Sequence, residues 1–452
     1  MITLKGSKNA NYVWLNQKIS SVAIASLDKT MSYTMESYEN PPYTVHLLKQ
    51  HEPSKAWFFP IGMVSEAIET LEELGYDVEY IPGHTPSKAT IDHIRWLGPT
   101  LWEHQEKARN MTLVNFYKGL GVILHIPTRG GKSVIAMKLI SDLQKKTLII
   151  VHNEELMRQW KNEIKEKLGI NAGEIQETKR DIKNVTVAMI QTLNNAIKKG
   201  EKFNFDFLII DEVHHYSSAM FYYVAMRINS YYRLGLSATP RREDGDDKKF
   251  IAAIGQIVHP VSIHELIQRR ILVKPIFKFY KCKVTEKTGY ESWAKSYTKG
   301  IVQNDERNNL IAKITNEHKD KQIYIHVTRI PHGKQLAKLI PRSVFVCGKD
   351  NSKTREKVLR DFKNNEIQCC ISTLLGEGVD VKTMDIIINA AGGRSWTSYI
   401  QRLGRVLTAS ENKCEALVID FLDYGHKWHH DHSQRRMEII REMFPSEELV
   451  IL

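Results

Sequence analysis

Residues 1–97 mix short alternating apolar runs with one helical period. Residues 19–25, 43–48 and 76–81 read as strands. Val64, Ile68, Leu71 and Leu74 recur at helical spacing, and Gly75 supplies a stop. Residues 82–99, with Pro82, Gly83, Pro86, Gly98 and Pro99, read as a connection. This pattern predicts a small α+β domain. From Trp102 to about Gln268 the pattern changes. Short, mainly apolar runs at 122–126, 147–151, 185–189 and 207–210 alternate with helical stretches. That is the pattern of a parallel sheet with crossover helices. It returns from Lys274 to Asp423, with runs at 323–327, 344–346, 369–372, 386–389 and 416–420, and residues 424–452 read as a helical tail. The predicted architecture is α/β: two tandem parallel-sheet domains, 98–270 and 271–452, behind a small α+β domain over 1–97.

Two of the apolar runs end in groups that handle phosphate. The run 122–126 leads into Pro127-Thr128-Arg129-Gly130-Gly131-Lys132-Ser133, and 134–143 reads as a helix. Strand, glycine-containing loop, Gly-Lys-Ser and helix form a phosphate-binding loop. Its backbone N–H groups and the helix N-terminus attract anionic oxygens. Lys132 would neutralise the β- and γ-phosphates of ATP, and Ser133 would ligate Mg²⁺. The usual pattern has glycine five residues before Gly131, where this chain has Ile126. About 80 residues on, the run 207–210 ends in Asp211-Glu212-Val213-His214. Carboxylates at a strand's C-terminal end sit where open α/β sheets bind ligands. Asp211 suits Mg²⁺, and Glu212 suits positioning and deprotonating an attacking water.

Asp211-Glu212-Val213-His214 resembles the DExH box of superfamily-2 helicases, and Ser237-Ala238-Thr239-Pro240 resembles their SAT motif. Residues 153–160 resemble the motif that grips one strand's phosphates, and Ile190-Gln191-Thr192-Leu193 the short motif after it. Residues 372–380, with Gly378 and Asp380, resemble motif V, and Gln401-Arg402-Leu403-Gly404-Arg405 resembles motif VI. The glutamine of Trp102-Glu103-His104-Gln105 resembles the adenine-reading glutamine, although a solvated first-turn glutamine is the plain alternative. The motifs follow the family's order over about 70% of the chain.

The resemblance implies two RecA-like domains that hydrolyse ATP with Mg²⁺ and move on nucleic acid. It implies a nucleotide site of Gln105, Thr128, Arg129, Gly130, Gly131, Lys132, Ser133, Gly378, Asp380 and Arg402. Catalysis falls to Lys132, Asp211, Glu212 and Gln401, with Arg405 as the arginine finger. His214, Ser237 and Thr239 would report nucleotide state to the track. The family's motif VI usually carries a further arginine where this chain has Thr408. Either Arg405 does more of the work, or Arg402 substitutes, or turnover is slow, and Arg402 could equally be an ordinary surface or domain-packing arginine. Residues 322–340 and the small N-terminal domain resemble the phage recombination helicases of the UvsW type, themselves RecG- and XPB-like. That implies branch migration and unwinding of forked or four-way DNA in recombination, repair and replication. A double-strand DNA translocase without strand separation, or an RNA helicase, are the alternatives.

Charge agrees with a polyanionic partner bound mainly through phosphates: the net charge is +12. Residues 1–100 hold eight Lys/Arg against eleven Asp/Glu, so the basic surface belongs to the remainder. Tyr38, Tyr43, Trp57, Phe58 and Phe59 either stack on DNA or fill the core. No run approaches the roughly 18 apolar residues of a membrane span, and the N-terminus lacks a secretion signal. The expectation is a cytoplasmic protein, in the host cytoplasm if it comes from a phage. Cys282, Cys347, Cys369, Cys370 and Cys414 form no CxxC pair and read as reduced thiols. His426, His429, His430 and His432 invite a metal reading, but no cysteine or carboxylate constellation supports it, and a structural tail is favoured.

Overall fold

The computed structural model describes residues 1–7, 11–15, 17–35, 43–83, 85–86, 91, 93–212, 218–238, 247–284, 292–374, 384–393, 403–404, 406–409 and 413–452. It divides into two compact units, Met1–Val261 and Ser262–Leu452.

The first unit contains two large sheets. One is five-stranded, in the order Lys49–Gln50, Trp57–Pro60, Tyr12–Leu15, Ile2–Gly6, Val78–Ile81. Helices Ser21–Met31 and Val64–Glu73 pack together and help build its core. The segment 19–25, expected as a strand, is the start of a helix. Ser20 caps it by accepting from Ala23 N at 3.1 Å, and Ala23, Leu27 and Met31 fall buried at four-residue steps. Seven apolar or small residues in a row could not distinguish the two periods.

The other sheet has eight strands, in the order Lys179–Asp181, Gly173–Gln176, Val185–Met189, Thr147–Val151, Phe207–Ile210, Tyr232–Ser237, Val122–His125, Gln256–Val258. All pairings are parallel except the first. Thr147–Val151 and Phe207–Ile210 are buried at every residue, as expected for central strands with both faces covered. The chain crosses from Val122–His125 through helix Lys132–Leu143 to Thr147–Val151, passing two intervening strands. That crossing opens a crevice at the strands' C-terminal ends.

Arg233, fully buried on the central strand Tyr232–Ser237, ties the two sheets together. Its guanidinium donates to the carbonyls of Ala225 (3.0 Å), Ala253 (2.9 Å) and Ile228 (2.8 Å), and to Asn11 Oδ1. Asn11 Nδ2 in turn donates to Met226 O at 2.7 Å. Ala252, from helix Asp247–Ala253, is part of the N-terminal core.

The second unit is a seven-stranded, all-parallel sheet: Ser343–Val346, Cys369–Ser372, Ile323–His326, Ile386–Asn389, Glu415–Tyr424, Lys274–Lys283, Leu449–Ile451. The residues after 424 are more than a helical tail. Helix Lys427–Met443 packs on Glu415–Tyr424, and Leu449–Ile451 returns as an edge strand beside Lys274–Lys283. Arg436, in that helix, donates to both carboxylate oxygens of buried Asp420 at 2.9 Å. Arg307 donates to Asp423 Oδ1 at 3.1 Å and to Ala390 O at 2.6 Å. Two buried guanidiniums with carboxylate partners thus fix the helix and strand ends of this unit.

Candidate nucleotide site

The loop after Val122–His125 is shaped by backbone conformation. Arg129 and Gly131 have φ of +73° and +86°, and helix Lys132–Leu143 starts immediately after Gly131. Gly130 N–H closes a turn onto Pro127 O at 3.0 Å, and the positive φ on either side of it leads the chain into the helix N-terminus, whose unpaired N–H groups attract anions. Helix Glu103–Tyr117 buttresses the loop. His104 Nε2 lies 3.0 Å from Gly130 O, and Gln105 Nε2 donates to the same oxygen at 3.4 Å. Gln105 Oε1 accepts from Trp102 N at 3.0 Å, so this amide braces the helix start and the loop.

Ile126 replaces the usual glycine at no cost to this geometry. Its side chain is fully buried and its backbone does the work. Ile126 N donates to Ser237 O at 3.1 Å, and its carbonyl accepts from Lys132 Nζ at 3.2 Å. Lys132 Nζ also lies 3.9 Å from Glu212 Oε1. One ammonium therefore bridges the phosphate loop and the carboxylate pair.

Asp211 and Glu212 sit at the end of Phe207–Ile210, with Asp211 N donating to Ile150 O at 3.1 Å. Burial and the neighbouring Glu212 carboxylate push the Asp211 acid well above the usual carboxylate range, against the pull of the Trp160 indole N–H and Lys132. Glu212 has a φ of +48°, a costly conformation for a residue with a Cβ. Trp160 Nε1 donates to Asp211 Oδ2 at 2.7 Å, and Ser133 Oγ donates to Glu163 Oε2 at 3.0 Å. Nothing in the sequence pairs Trp160 or Glu163 with the site. Both come from helix Glu154–Leu168 and meet their partners only through tertiary packing.

The donor set fits a small hard cation. A hydroxyl and a carboxylate oxygen beside a phosphate loop are what Mg²⁺ takes, together with phosphate and water oxygens.

The flanking motifs connect by hydrogen bonds. Asn153 caps helix Glu154–Leu168 by accepting from Leu156 N at 2.8 Å. Gln191 Nε2 donates to His152 O at 3.3 Å, and Thr192 Oγ1 accepts from Glu177 N at 3.1 Å. Ser237 is buried on the strand beside the phosphate-loop strand, and His125 Nε2 lies 2.9 Å from Ala238 O. His214, Thr239, Gly378, Asp380, Gln401, Arg402 and Arg405 lie outside the described residues. Thr408 is buried, pairs with Leu272 as an isolated bridge, and donates from Oγ1 to Gly404 O at 3.4 Å. It is an internal packing position of the second unit.

Of the N-terminal aromatics, Phe59 is core, Trp57 and Phe58 are half-buried, Tyr43 is exposed, and Tyr38 lies outside the described residues. Among the histidines, His429 is buried against Trp293, with Nε2 2.9 Å from Ser296 Oγ. Among the described residues no group of three or more His, Cys, Asp or Glu is arranged to hold an ion. Four cysteines are buried and Cys414 is exposed, all as free thiols. No helix among the described residues is long and apolar enough to cross a membrane.

Residues 99–242 match the family described as the type III restriction enzyme, res subunit, and residues 306–410 match the helicase conserved C-terminal domain. The chain is 30% identical over 349 residues to the DNA 3'-5' translocase XPB2 of Sulfurisphaera tokodaii, spanning 67% of this chain and 78% of that one. It is 24% identical over 330 residues to the ATP-dependent DNA helicase uvsW of Enterobacteria phage T4, spanning 67% and 65%. The solved structure of the ATP-dependent Type ISP restriction-modification enzyme LlaBIII bound to DNA aligns with a TM-score of 0.58. That alignment has 14% identity and spans 78% of this chain and 31% of that one, a likeness of fold.

Proposed function

The chain belongs to the superfamily-2 ATP-dependent DNA helicases and translocases, and from that membership we propose that it unwinds and branch-migrates forked or four-way DNA. The observation that carries this reading is the fastening of the N-terminal sheet to the ATPase sheet. Arg233 holds Asn11 from the strand next to the one that bears Asp211 and Glu212. Lys248, in the helix that follows the SAT motif, donates to Ser32 O at 3.0 Å and to Thr30 O. A DNA-contacting element fixed there moves with the motor strands, as a domain that guides a branch into the motor must. On this reading the domains are 1–97, 98–270 and 271–452, and the protein acts in the cytoplasm in recombination, repair and replication.

The chemistry asks for positioning and charge neutralisation. Backbone N–H groups at the N-terminus of helix Lys132–Leu143 hold the phosphates. Lys132, already between the Ile126 carbonyl and Glu212, neutralises the β- and γ-oxygens. Ser133 and Asp211 would hold Mg²⁺, which supplies charge compensation for the phosphates. Glu212 orients the attacking water and takes its proton. Gln401 and Arg405 are assigned to the transferring phosphoryl group, and Gln105 to the adenine. His214, Ser237 and Thr239 link hydrolysis to DNA.

The test is an unwinding panel of forked, four-way, blunt-duplex and RNA–DNA substrates, with ATP and with a non-hydrolysable analogue. Strand separation of forked and four-way DNA with ATP alone is expected, with ATPase stimulated most by branched DNA. Lys132→Ala abolishes both. ATP-dependent displacement of a bound protein without strand separation would instead establish the duplex-translocase reading, which the 30% identity to a protein named a translocase favours. Equal stimulation by RNA would overturn the DNA assignment.

A further inference from the structure

Helix Glu154–Leu168 places two side chains against the two oxygens assigned to the metal. Trp160 and Glu163 are three positions apart and share one helical face. Trp160 is 2% exposed, and its one polar hydrogen is spent on Asp211 Oδ2 at 2.7 Å. Glu163 Oε2 accepts the Ser133 hydroxyl at 3.0 Å. Glu163 is itself held by Gln159 Nε2, which donates to Oε1 at 2.8 Å, and by Lys167 Nζ, 3.6 Å from Oε2.

The stereochemistry gives these contacts a purpose. A serine hydroxyl has one proton and two lone pairs. Donating the proton to Glu163 fixes the rotor and leaves lone pairs for a cation. An indole N–H on Asp211 Oδ2 likewise fixes the orientation of that carboxylate. We propose that Trp160 and Glu163 are positioning residues for the nucleotide's Mg²⁺, orienting Asp211 and Ser133 respectively. The proposal rests on the reading of Ser133 and Asp211 as the metal ligands. It also gives one rigid element two tasks. The segment that resembles a phosphate-gripping motif forms the N-terminal half of this helix, and Trp160 ends that segment. A displacement of the helix by nucleic acid would therefore reach both metal ligands at once.

The experiment uses the full chain and the variants Trp160→Phe, which keeps the ring and removes the N–H, and Glu163→Gln, which keeps the shape and removes the charge. Calorimetry measures binding of ADP with Mg²⁺ and in EDTA, and Mg²⁺ is titrated in the ATPase assay at saturating ATP. Partners of metal ligands typically contribute about 10-fold to 100-fold in metal affinity. Both variants are expected to need about tenfold more Mg²⁺ for half-maximal activity and to lose the Mg²⁺-dependent gain in ADP affinity. Their metal-free ADP affinity should stay within about twofold of wild type. A merely structural role would instead weaken ADP binding equally with and without metal, and that result overturns the proposal, as does an unchanged Mg²⁺ requirement. If Trp160→Phe fails to fold, Glu163→Gln, at a partly exposed position, decides the question alone. Asp211→Asn separates the two levels: if it leaves the Mg²⁺ requirement unchanged, the assignment of the metal ligands fails, and not only that of their supports.

Discussion

Replacing Gly131 by alanine tests the loop and the glutamine together. The backbone there has φ +86°, and an added Cβ would stand 2.2 Å from Gln105 Nε2 and 3.2 Å from Gln105 Cδ. Holding a residue with a Cβ in the left-handed region costs about 1–2 kcal/mol. The clash is with the end of a flexible side chain, so Gln105 moves rather than the backbone. Moving it breaks the 3.4 Å bond to Gly130 O and the 3.0 Å bond from Trp102 N. The first is long and contributes little, and the second about 0.5–1.5 kcal/mol. The total is about 1.5–3.5 kcal/mol of local stability. If the loop must recover its shape to bind phosphate, affinity falls about 10-fold to 300-fold, since 1.4 kcal/mol is a factor of ten. Fluorescent-nucleotide titration and thermal unfolding read the two effects. Gln105→Ala alone should weaken binding modestly. In the Gly131→Ala background it removes the clash, so the double variant should be better than additive by about 1 kcal/mol. Strict additivity, or wild-type nucleotide affinity in Gly131→Ala, would mean that the added methyl does not displace Gln105 or that the loop tolerates it.

Ile126→Ala should lower stability by about 2–4 kcal/mol in denaturant titration, because it empties a fully buried site; a neutral result would mean that the loop's first position is not core. Asn11→Ala leaves the buried Arg233 short of one acceptor and Met226 O short of its donor. A loss of about 2–3 kcal/mol follows, with faster protease cleavage in 82–99, and unchanged cleavage would count against the sheet-to-sheet tether. Acid should destabilise the second unit through two buried histidines. Burial and nearby Arg307 hold His332 down to about 3, and burial and nearby His426 hold His429 down to about 4, both from 6.5. Their folded values lie below the unfolded one, so this stability is complete above about pH 7.5 and lost as pH falls from 6.5 towards those values. At pH 5 the loss is about 2 kcal/mol per histidine, from 1.5 pH units at 1.36 kcal/mol each. The buried Asp423 acid, raised by burial, works in the opposite direction, so the check compares wild type with His332→Asn. A variant with the same slope between pH 7.5 and 5 would exclude His332 as a contributor.

The parts legible in the sequence are those whose environment is uniform. Thr147–Val151, Val185–Met189, Phe207–Ile210, Cys369–Ser372 and Ile386–Asn389 have the bounds expected for them, because a strand buried on both faces is apolar until it ends. Lys274–Lys283 escaped notice although its burial nearly alternates. Its lysines mask the period, and its pairing along the full length of Glu415–Tyr424 is a long-range fact. The candidate phosphate loop and acidic pair stand out in the sequence because their residue types suit the proposed chemistry. The groups that orient them were not. Trp160 and Asp211 are 51 positions apart, and Ser133 and Glu163 are 30 apart. Arg233 reads as a charged interruption in a strand until its four acceptors are seen.

Ile126 shows why a pattern match is a poor measure of phosphate binding. The glycine pattern stands for a requirement on the backbone: successive N–H groups must converge, and the chain must pass close to anionic oxygens. Here the left-handed residues Arg129 and Gly131 shape the loop and lead it into the helix N-terminus, and both lie downstream of 126. Position 126 is still strand-like in function, joined to Ser237 O through its N–H and facing the core with its side chain. A β-branched residue belongs there. Its carbonyl faces the loop and holds the Lys132 ammonium 3.2 Å away, which any residue type could do. Two of the non-glycine residues with left-handed backbone lie in the candidate nucleotide site. Arg129 and Glu212 adopt φ of +73° and +48°, each at a cost of about 1–3 kcal/mol. A glycine at 212 would relieve the strain and remove the base. A glycine at 126 would relieve nothing and open a cavity in the core. The departure from the family pattern therefore falls at a core position of the strand, upstream of the backbone turns that shape the proposed phosphate loop.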